Sequence, residues 1–240
     1  MKRADHEIAA SGPPRAQELH AFIVSLDIPE MSLAAARRVL DPAEIARADA
    51  FLRPQDRRHF AAARSWLRRV LGAHLGRHPT DLVFGEGAHG KPRLDEAAGR
   101  LDFNLSHSGG YALLVISPGF EIGADIEAQR EIEDSVAERF FSATEVRALA
   151  ALPRAERTAA FFRCWSRKEA YLKALGSGLA TPLDGFTVSL DGGDARLLDV
   201  AGEPGEASHW QMAAFEPAPH LAGAVAARRT GWRLLWPDIA

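Results

Sequence analysis

The sequence predicts an α+β fold, in which helices and strands occupy separate stretches of the chain. Helical periodicity runs through residues 43–75 and resumes over 132–175, and each helical block is followed by short apolar runs typical of strands. A chain of βαβ units would instead alternate strand with helix. A Pro-Gly pair at residues 118–119 interrupts the pattern, so we expect an N-terminal α+β half over 1–118 and a C-terminal α+β half over 119–240.

The composition is that of an ordinary globular protein. The 240 residues are 47% hydrophobic and 25% charged, enough for a core without disulfides or structural metal. Cys164 is the single cysteine, which excludes an internal disulfide and a thiolate zinc site and favours a small core residue. The formal charge of −3 argues against a nucleic-acid partner. Because the sequence has no apolar leader and no run of about 18 apolar residues, we expect a cytoplasmic protein without a membrane partner.

In the first half, residues 1–20 are interpreted as a poorly ordered lead-in. Asp41 before Pro42 predicts a helix N-cap with proline at the first helical position, and a break at Arg53-Pro54 divides the helical region that follows. The buried stripe of that region is predicted to contain Leu67, Val70 and Leu71. The strand-like segments of this half are 21–26, 82–84, 101–105 and 111–117.

The second half opens with a strand and continues with helices before its remaining strands. Its helical segments are 132–140, 143–152 and 157–175. Its strand-like segments are 121–127, 186–190, 210–215 and 221–227. We find no residue-level repeat between the halves.

A basic stretch lies between Phe51 and Arg69, with six arginines and one acidic residue, Asp56. A helix with a solvated basic face explains it as well as a site for a phosphorylated ligand does. Composition leaves both interpretations open.

The segment Ile122-Gly-Ala-Asp-Ile-Glu127 is the most informative one. In a strand, Ile122, Ala124 and Ile126 would face a core, while Asp125 and Glu127 would share the opposite face with a glycine. Two neighbouring carboxylates repel unless a cation lies between them, and oxygen ligands suit Mg²⁺. An alternating strand with its polar face in water is the competing interpretation.

A second segment, 161–175, predicts a helix whose buried stripe is strongly aromatic. Glu169 and Lys173 are four residues apart on a neighbouring face, which as a surface pair would contribute about 0.3–0.5 kcal/mol. With Lys168 they border the stripe, so the alternative is a half-buried edge that lines a cleft. There the carboxylate would bind metal or accept a proton, and the lysine would neutralise a phosphate. The stripe is predicted to contain Phe161, Trp165, Leu172 and Leu175.

Two further segments suggest phosphate contacts. Ser106 and His107 end a strand before a glycine turn, where donors could hold a phosphate, and Lys91 lies between Gly90 and Pro92. A hydrolase with Ser106 or Ser108 as nucleophile is a poor alternative, because adjacent Ser and His are not a triad and the sequence has no G-x-S-x-G elbow.

Glu145 has a structural and a functional interpretation. Ser142-Ala-Thr-Glu145 precedes an apolar run and fits a capping box, in which the glutamate accepts from the Ser142 amide. A role near the metal is the alternative.

These segments together resemble the larger class of the 4′-phosphopantetheinyl transferase superfamily, the class that activates peptide and polyketide synthases. The resemblance covers about residues 90–190, and the motifs follow the family's order. They are GKPRL at 90–94, FNLSHSGG at 103–110, GADIE at 123–127, RFFSATE at 139–145 and WSRKEAYLKALGSGL at 165–179.

The resemblance implies a pseudo-twofold pair of α+β halves with coenzyme A in the cleft between them. By position, Asp125, Glu127 and Glu169 would coordinate Mg²⁺, and Lys173 would face the phosphates. The residues that would hold the coenzyme are Lys91, Ser106 and His107. In the family, N-terminal basic residues grip the 3′-phosphate. Here Glu44 stands at one such position, and the alternatives for the grip are Arg47, Arg57, Arg58 and Arg64.

The implied reaction is attack by a carrier-protein serine on the β-phosphorus of coenzyme A, which expels 3′,5′-ADP. A neutral serine is a poor nucleophile, so we hypothesise that Glu169 takes its proton, directly or through water. Mg²⁺ and Lys173 would stabilise the developing charge. The partner would be an acyl, peptidyl or aryl carrier, acidic enough to dock on an arginine-bearing surface, and the protein would be a monomer. A non-catalytic coenzyme A-binding module is the alternative from another class.

Overall fold

The computed structural model describes residues 12–86, 91–95, 101–176 and 181–237, and it has the predicted α+β architecture. The helices are α1 (Glu30–Arg37), α2 (Pro42–Ala50), α3 (Pro54–Leu75), α4 (Asp134–Phe140), α5 (Ala143–Ala151) and α6 (Arg154–Leu175). The strands are β1 (Glu18–Ser25), β2 (Phe84–Glu86), β3 (Pro92–Leu94), β4 (Asp102–Ser108), β5 (Tyr111–Ser117), β6 (Gly123–Ala128), β7 (Phe186–Val188), β8 (Leu197–Val200), β9 (Gln211–Phe215), β10 (Leu221–Ala227) and β11 (Arg233–Leu235).

Two sheets repeat one topology. The first has the order β11-β1-β5-β4 and the second β6-β10-β9, while β2-β3 and β7-β8 form separate two-stranded sheets. In the first sheet β1 pairs antiparallel with β5, which pairs with β4, and in the second sheet β6 pairs antiparallel with β10, which pairs with β9. Strand β11 is an addition to the first sheet, where it pairs parallel with β1. The halves therefore share a topology that the sequence did not reveal. The boundary between residues 118 and 119 stays a prediction.

The core lies in layers between the sheets and on their outer faces. Leu113 and Val115 of β5 meet Ile126 of β6 and Val225 of β10 in the apolar layer between the sheets. Alternate residues of β5 face α3, and alternate residues of β10 face α6. Each main sheet is thus buried on both faces.

The long helices α3 and α6 occupy equivalent places and share their length and ending. Each has 22 residues and stops at a glycine in the left-handed region, Gly76 with φ 62° and Gly176 with φ 64°. Side chains other than glycine are disfavoured in that region, so each glycine fixes its helix end.

The equivalent helices α2 and α5 each begin with a capping box. Asp41 with Glu44 caps α2, and Ser142 with Glu145 caps α5, as predicted for the N-cap at Asp41 and for the capping interpretation of Glu145. In each half a buried cation of the long helix pairs with the capping glutamate: Arg68 Nε lies 2.7 Å from Glu44, and Lys168 Nζ lies 2.8 Å from Glu145. Both cations also donate to main-chain carbonyls of the following segment.

The two main sheets are joined by a polar seam, which we define as the side chains of Asp102, Asn104, Ser106 and Ser108 on β4. The edge of β6 that is not paired with β10 carries main-chain amides, and these four side chains accept from four of them. The donors, in order, are the amides of Ile122 at 3.1 Å, Ala124 at 2.9 Å, Ile126 at 3.4 Å and Ala128 at 3.1 Å. Side chains here do what a neighbouring strand's carbonyls do in an ordinary ladder.

Several predictions about local structure need correction. The lead-in over residues 1–20 is too long, because β1 begins at Glu18; residues 1–11 lie outside the described residues. Leu175 is exposed rather than part of the buried stripe, since it lies at the end of α6. Lys168 does not border a cleft, because its ammonium group is buried against Glu145. Four short elements were not predicted: α1, β3, β8 and β11.

Other predictions are confirmed. The helical region breaks between α2 and α3 at Arg53-Pro54, and Leu67, Val70 and Leu71 are fully buried. Cys164 is a core residue, and burial raises the pKa of its thiol well above the ordinary value. Within the described ranges, we find no helix with the length and apolarity needed to cross a bilayer.

We expect Glu145→Ala to destabilise the protein by about 3–5 kcal/mol, because Lys168 would keep its charge in a fully buried position without a counter-ion. Urea unfolding measures this loss, and Glu138→Ala at an exposed site of α4 should change stability by less than about 0.5 kcal/mol. If Glu145→Ala abolished activity and left stability intact, the metal-site alternative would be correct instead.

A second prediction concerns two buried histidines between β1 and α3. His20 Nδ1 lies 3.2 Å from His74 Nε2, and His74 Nδ1 donates to the Val70 carbonyl, an arrangement of two neutral rings. Burial lowers the pKa of both, with a further contribution to His20 from His74. The unfolded chain therefore binds more protons than the folded chain below about pH 6.5, and the free energy of unfolding should fall as the pH drops through that value.

His74→Gln should weaken this pH dependence, because glutamine keeps a hydrogen-bonding group but takes up no proton. Unfolding in urea at about pH 7.5 and about pH 5.5 measures it. His78→Gln, at an exposed position just beyond α3, is the control and should retain the wild-type difference. An unchanged difference in His74→Gln would contradict the assignment.

Candidate active site

The candidate site is built on the face of β6 that meets α6. Ile122 and the alternate residues Ala124 and Ile126 are buried between the sheets, so Asp125 and Glu127 point to the opposite face, as the alternation predicts. The polar face is not exposed to water, however, because α6 covers it.

Gly123 allows the helix to lie directly on the strand. A Cβ atom at this position would collide with the main chain of α6 at the Ala170 carbonyl and the Ala174 amide. Any larger residue would separate strand and helix. The glycine thereby sets how near Glu169 and Lys173 of α6 come to the carboxylates of β6.

Asp125 is the centre of the hydrogen-bond network. Its Oδ1 accepts from Lys173 Nζ at 2.6 Å and from Ser106 Oγ at 2.8 Å, and Lys173 also donates to Ser106 at 3.0 Å. Its Oδ2 is buried and has no hydrogen-bond partner among the described residues. An unpaired buried carboxylate oxygen is costly, and this oxygen is available to a ligand that brings positive charge or a donor.

Glu127 and Glu169 are both held in electrostatically unfavourable surroundings. Burial raises the pKa of Glu127, and the negative charge of Asp125 raises it further, while Ser108 and Arg130 oppose the shift. Burial and Asp125 likewise raise the pKa of Glu169, against an opposing contribution from Lys173. The three carboxylates therefore interact electrostatically, and one ammonium group compensates them incompletely.

The three carboxylates are oxygen ligands, which suit a hard divalent cation, but they do not form a complete coordination site. In the described part of the chain, no group of three or more His, Cys, Asp or Glu side chains lies in an arrangement that could hold a metal ion. The unpaired Asp125 Oδ2 and the raised pKa values of its neighbours are the features that a cation would satisfy.

Ser106 and His107 of β4 lie at the same place. Ser106 belongs to the Asp125 network. Partial desolvation and the positive charge of Lys173 lower the pKa of His107, to which His59 of α3 also contributes. His59 Nε2 is 2.8 Å from Asp27, so the site continues towards the start of α3.

The remaining predicted coenzyme residues are engaged elsewhere in the structure. Lys91 donates to Asp102 at 3.2 Å and to the Ile122 carbonyl at 3.0 Å, so it joins the end of the polar seam. Arg64 pairs with Glu44 at the N-terminus of α2.

The other N-terminal arginines also have intramolecular contacts. Arg58 contacts Glu30 at 2.6 Å, and Arg47 lies over the ring of Phe60. Arg57 donates to the Phe51 carbonyl. These contacts place the arginines on the helices of the first half, whereas Ser106, His107 and Lys173 share the site of Asp125.

Two other expectations can be compared with the geometry. Glu145 accepts from the amides of Ser142 and Val188 and pairs with Lys168, so its oxygens are used inside the second half.

Ser108 donates to Glu127 Oε2 at 2.9 Å, as Ser106 does to Asp125, so both hydroxyl protons point at carboxylates and not at a general-base histidine. The hydrolase alternative has no support here.

Sequence reasoning missed the residues that hold the site together. Asp102 and Asn104 were assigned no role, and Ser108 was considered only as a hydrolase nucleophile. The alternation D-x-N-x-S-x-S over residues 102–108 was the signal that could have found them. His59 and Asp27 gave no sequence signal, since their contact joins α3 to the segment after β1.

Comparison with known proteins connects this geometry to a family. A model described as the 4′-phosphopantetheinyl transferase superfamily matches residues 121–226, and a model described as 4′-phosphopantetheinyl transferase, N-terminal, matches residues 29–119. The chain is 37% identical over 220 residues to the 4′-phosphopantetheinyl transferase HetI of Nostoc sp., which covers 90% of each chain.

Two further relatives match over shorter lengths. The 4′-phosphopantetheinyl transferase Sfp of Bacillus subtilis is 36% identical over 124 residues, 52% of this chain and 54% of that one. The 4′-phosphopantetheinyl transferase AcpT of Salmonella typhimurium is 40% identical over 116 residues, 47% of this chain and 58% of that one. With matches that run through both halves, this chain belongs to the 4′-phosphopantetheinyl transferase superfamily.

Proposed function

We propose that the cluster of Asp125, Glu127, Glu169 and Lys173 is the centre at which this transferase works. The chain transfers the 4′-phosphopantetheine group of coenzyme A to a serine of a carrier protein. The observation that carries the placement is the network around Asp125, where a buried carboxylate keeps one oxygen unpaired beside Lys173.

Asp125, Glu127 and Glu169 are the residues proposed to hold Mg²⁺. When bound, Mg²⁺ would supply positive charge to the pyrophosphate oxygens and lower the cost of the negative charge that builds up in the reaction. The proposal rests on the oxygen-only donor set, the unpaired Asp125 Oδ2 and the raised pKa values of Glu127 and Glu169.

Glu169 is the proposed base for the carrier serine. Its carboxylate is partly buried on the face of α6 that meets β6, and in the ionised form it can accept a hydroxyl proton directly or through water. Lys173 is one turn along α6 and already donates to Asp125. Its ammonium group would stabilise charge on the phosphate oxygens as the bond from the β-phosphorus to 3′,5′-ADP breaks.

The coenzyme contacts are proposed in two groups. Ser106 and His107, beside Lys173, would contact the phosphates. Lys91 would do so after exchanging its bond to Asp102 for one to the coenzyme. The arginines proposed to grip the 3′-phosphate are Arg47, Arg58 and Arg64, with Arg57 as a further candidate, and Arg47 is the most exposed to solvent of the first three.

The repeated topology supports one active site in each chain. When β5 and β10 are aligned from their first residues, the strand registers put Phe22 of β1 at the position of Asp125 and Val24 at that of Glu127. The first half thus has apolar residues where the second has carboxylates. We accordingly propose that the two halves divide between residues 118 and 119, and that a monomer supplies one complete cleft. We also propose a cytoplasmic location, as predicted from the sequence.

The first test is the intact mass of an apo carrier protein after incubation with this protein, coenzyme A and Mg²⁺. We expect a gain of one phosphopantetheine group, and no gain when EDTA is present. Acyl, peptidyl and aryl carriers should all be tried. A gain that persists in EDTA would refute the metal proposal, and tight coenzyme A binding without transfer to any carrier would favour the binding-module alternative.

Asp125→Ala should nearly abolish this transfer while the protein stays folded. The variant removes the acceptor for Lys173 and Ser106 together with the unpaired oxygen proposed to bind Mg²⁺. Asp199→Ala, at an exposed position of β8, is the matched control and should retain wild-type turnover. Undiminished transfer by Asp125→Ala with the usual Mg²⁺ dependence would overturn the assignment.

A further inference from the structure

The two serines of the polar seam match the two carboxylates of β6 one to one. Ser106 donates to Asp125 Oδ1 at 2.8 Å, and Ser108 donates to Glu127 Oε2 at 2.9 Å. Each pair is spaced by two residues on its own strand, so the matching follows from the way β4 lies along β6. Ser106 is also bonded to Lys173, whereas Ser108 links the seam to Glu127 alone among the site carboxylates.

The direction of the Ser108 bond is fixed by its second contact. A hydroxyl group has one proton to donate and lone pairs that accept. The Ser108 oxygen accepts from the Ala128 amide at 3.1 Å, which leaves its proton for Glu127. Asp102 and Asn104 of the seam also accept from main-chain amides, those of Ile122 and Ala124. The next two seam residues, which lie beside Asp125 and Glu127, are serines and can also donate.

Ser108 thus anchors Glu127 to the main chain of its own strand. The amide of Ala128, the Ser108 hydroxyl and the Glu127 carboxylate form one chain of hydrogen bonds. Arg130 lies 3.8 Å from Glu127, and Lys173 contributes a weaker attraction. Without the serine, a half-buried carboxylate beside Asp125 would have more rotamers available and a less stable ionised form.

We propose that Ser108 is a positioning residue for the transferase reaction, which acts by orienting the Glu127 carboxylate. The proposal rests on the role in binding Mg²⁺ proposed for Glu127. Ser108 need not touch coenzyme A or the carrier. Its hydroxyl sets which Glu127 oxygen is held by the protein and which is left for a ligand.

The test is a double-mutant cycle of Ser108→Ala and Glu127→Gln. Mg²⁺ is titrated by calorimetry into the protein with coenzyme A bound and no carrier present, and turnover is measured separately by the mass assay. We expect Ser108→Ala to weaken Mg²⁺ binding about tenfold and to lower kcat, with the KM for coenzyme A unchanged. In the Glu127→Gln background, adding Ser108→Ala should have almost no further effect.

Two more variants separate positioning from a structural role. Ser108→Thr keeps the hydroxyl in a residue favoured in strands and should restore Mg²⁺ affinity to within about threefold of wild type. Asn104→Ala also deletes an acceptor for a β6 amide but does not contact a carboxylate. It should lower stability in urea while its effect on Mg²⁺ binding stays independent of Glu127→Gln.

The outcomes distinguish failure of this inference from failure of the proposed function. If Glu127→Gln impairs Mg²⁺ binding but the effect of Ser108→Ala simply adds to it, the positioning role is wrong and Ser108 only caps the strand edge. If Glu127→Gln itself leaves Mg²⁺ binding and turnover at the wild-type level, the proposed role of Glu127 fails first.

Discussion

The hydrogen bonds from β6 main-chain amides to the side chains of β4 are the interaction on which the site depends. As an edge strand in a buried place, β6 would otherwise leave its amides at Ile122, Ala124, Ile126 and Ala128 without acceptors, at a cost of about 1–3 kcal/mol each. A neighbouring strand could accept from these amides with its main-chain carbonyls, but it would then provide no hydroxyl groups to donate to the carboxylates. Because side chains do the pairing, the seam joins the two sheets and also reaches the carboxylates on the neighbouring residues of β6.

The same framework occurs twice, and only one copy has the chemistry of the site. In each half a capping glutamate, a buried cation of the long helix and a left-handed glycine fix the helices against the sheet. Between sheet and long helix, however, aligning β5 with β10 from their first residues puts His20 of the first half at the position of Gly123 in the second. The imidazole of His20 fills that space with a contact to His74, whereas the glycine lets α6 lie on β6. In the second half, the close packing of α6 on β6 therefore occurs on the same face of the strand as the carboxylates.

The sequence was sufficient for the parts governed by local rules. Alternation predicted the faces of β6, the N-cap signals predicted the starts of α2 and α5, and the Gly-rich turn predicted the β4–β5 hairpin. The sequence did not predict contacts between residues that are far apart along the chain. Lys168 was predicted at a half-buried edge lining a cleft, because the sequence did not reveal that Glu145 on another helix is its buried partner. The repeat stayed hidden because Arg68 and Lys168 fill one role with different residue types, and β3, β8 and β11 are too short to show periodicity.

The charge balance of the site explains why coenzyme A and a cation should bind together. Asp125, Glu127 and Glu169 face Lys173 as the near ammonium group, and burial together with the negative charge of Asp125 raises the pKa of both glutamates. A pyrophosphate entering this site alone would add repulsion. Lys173 donates to Asp125 and Ser106, and an ammonium group has a third N–H that a phosphate oxygen could accept from. A divalent cation between the carboxylates and the pyrophosphate would offset this repulsion, and it would lower the pKa values of Glu127 and Glu169. The polar seam holds Asp125 Oδ1 and Glu127 Oε2 with hydroxyl protons. It would thereby leave the opposite oxygens to the proposed Mg²⁺.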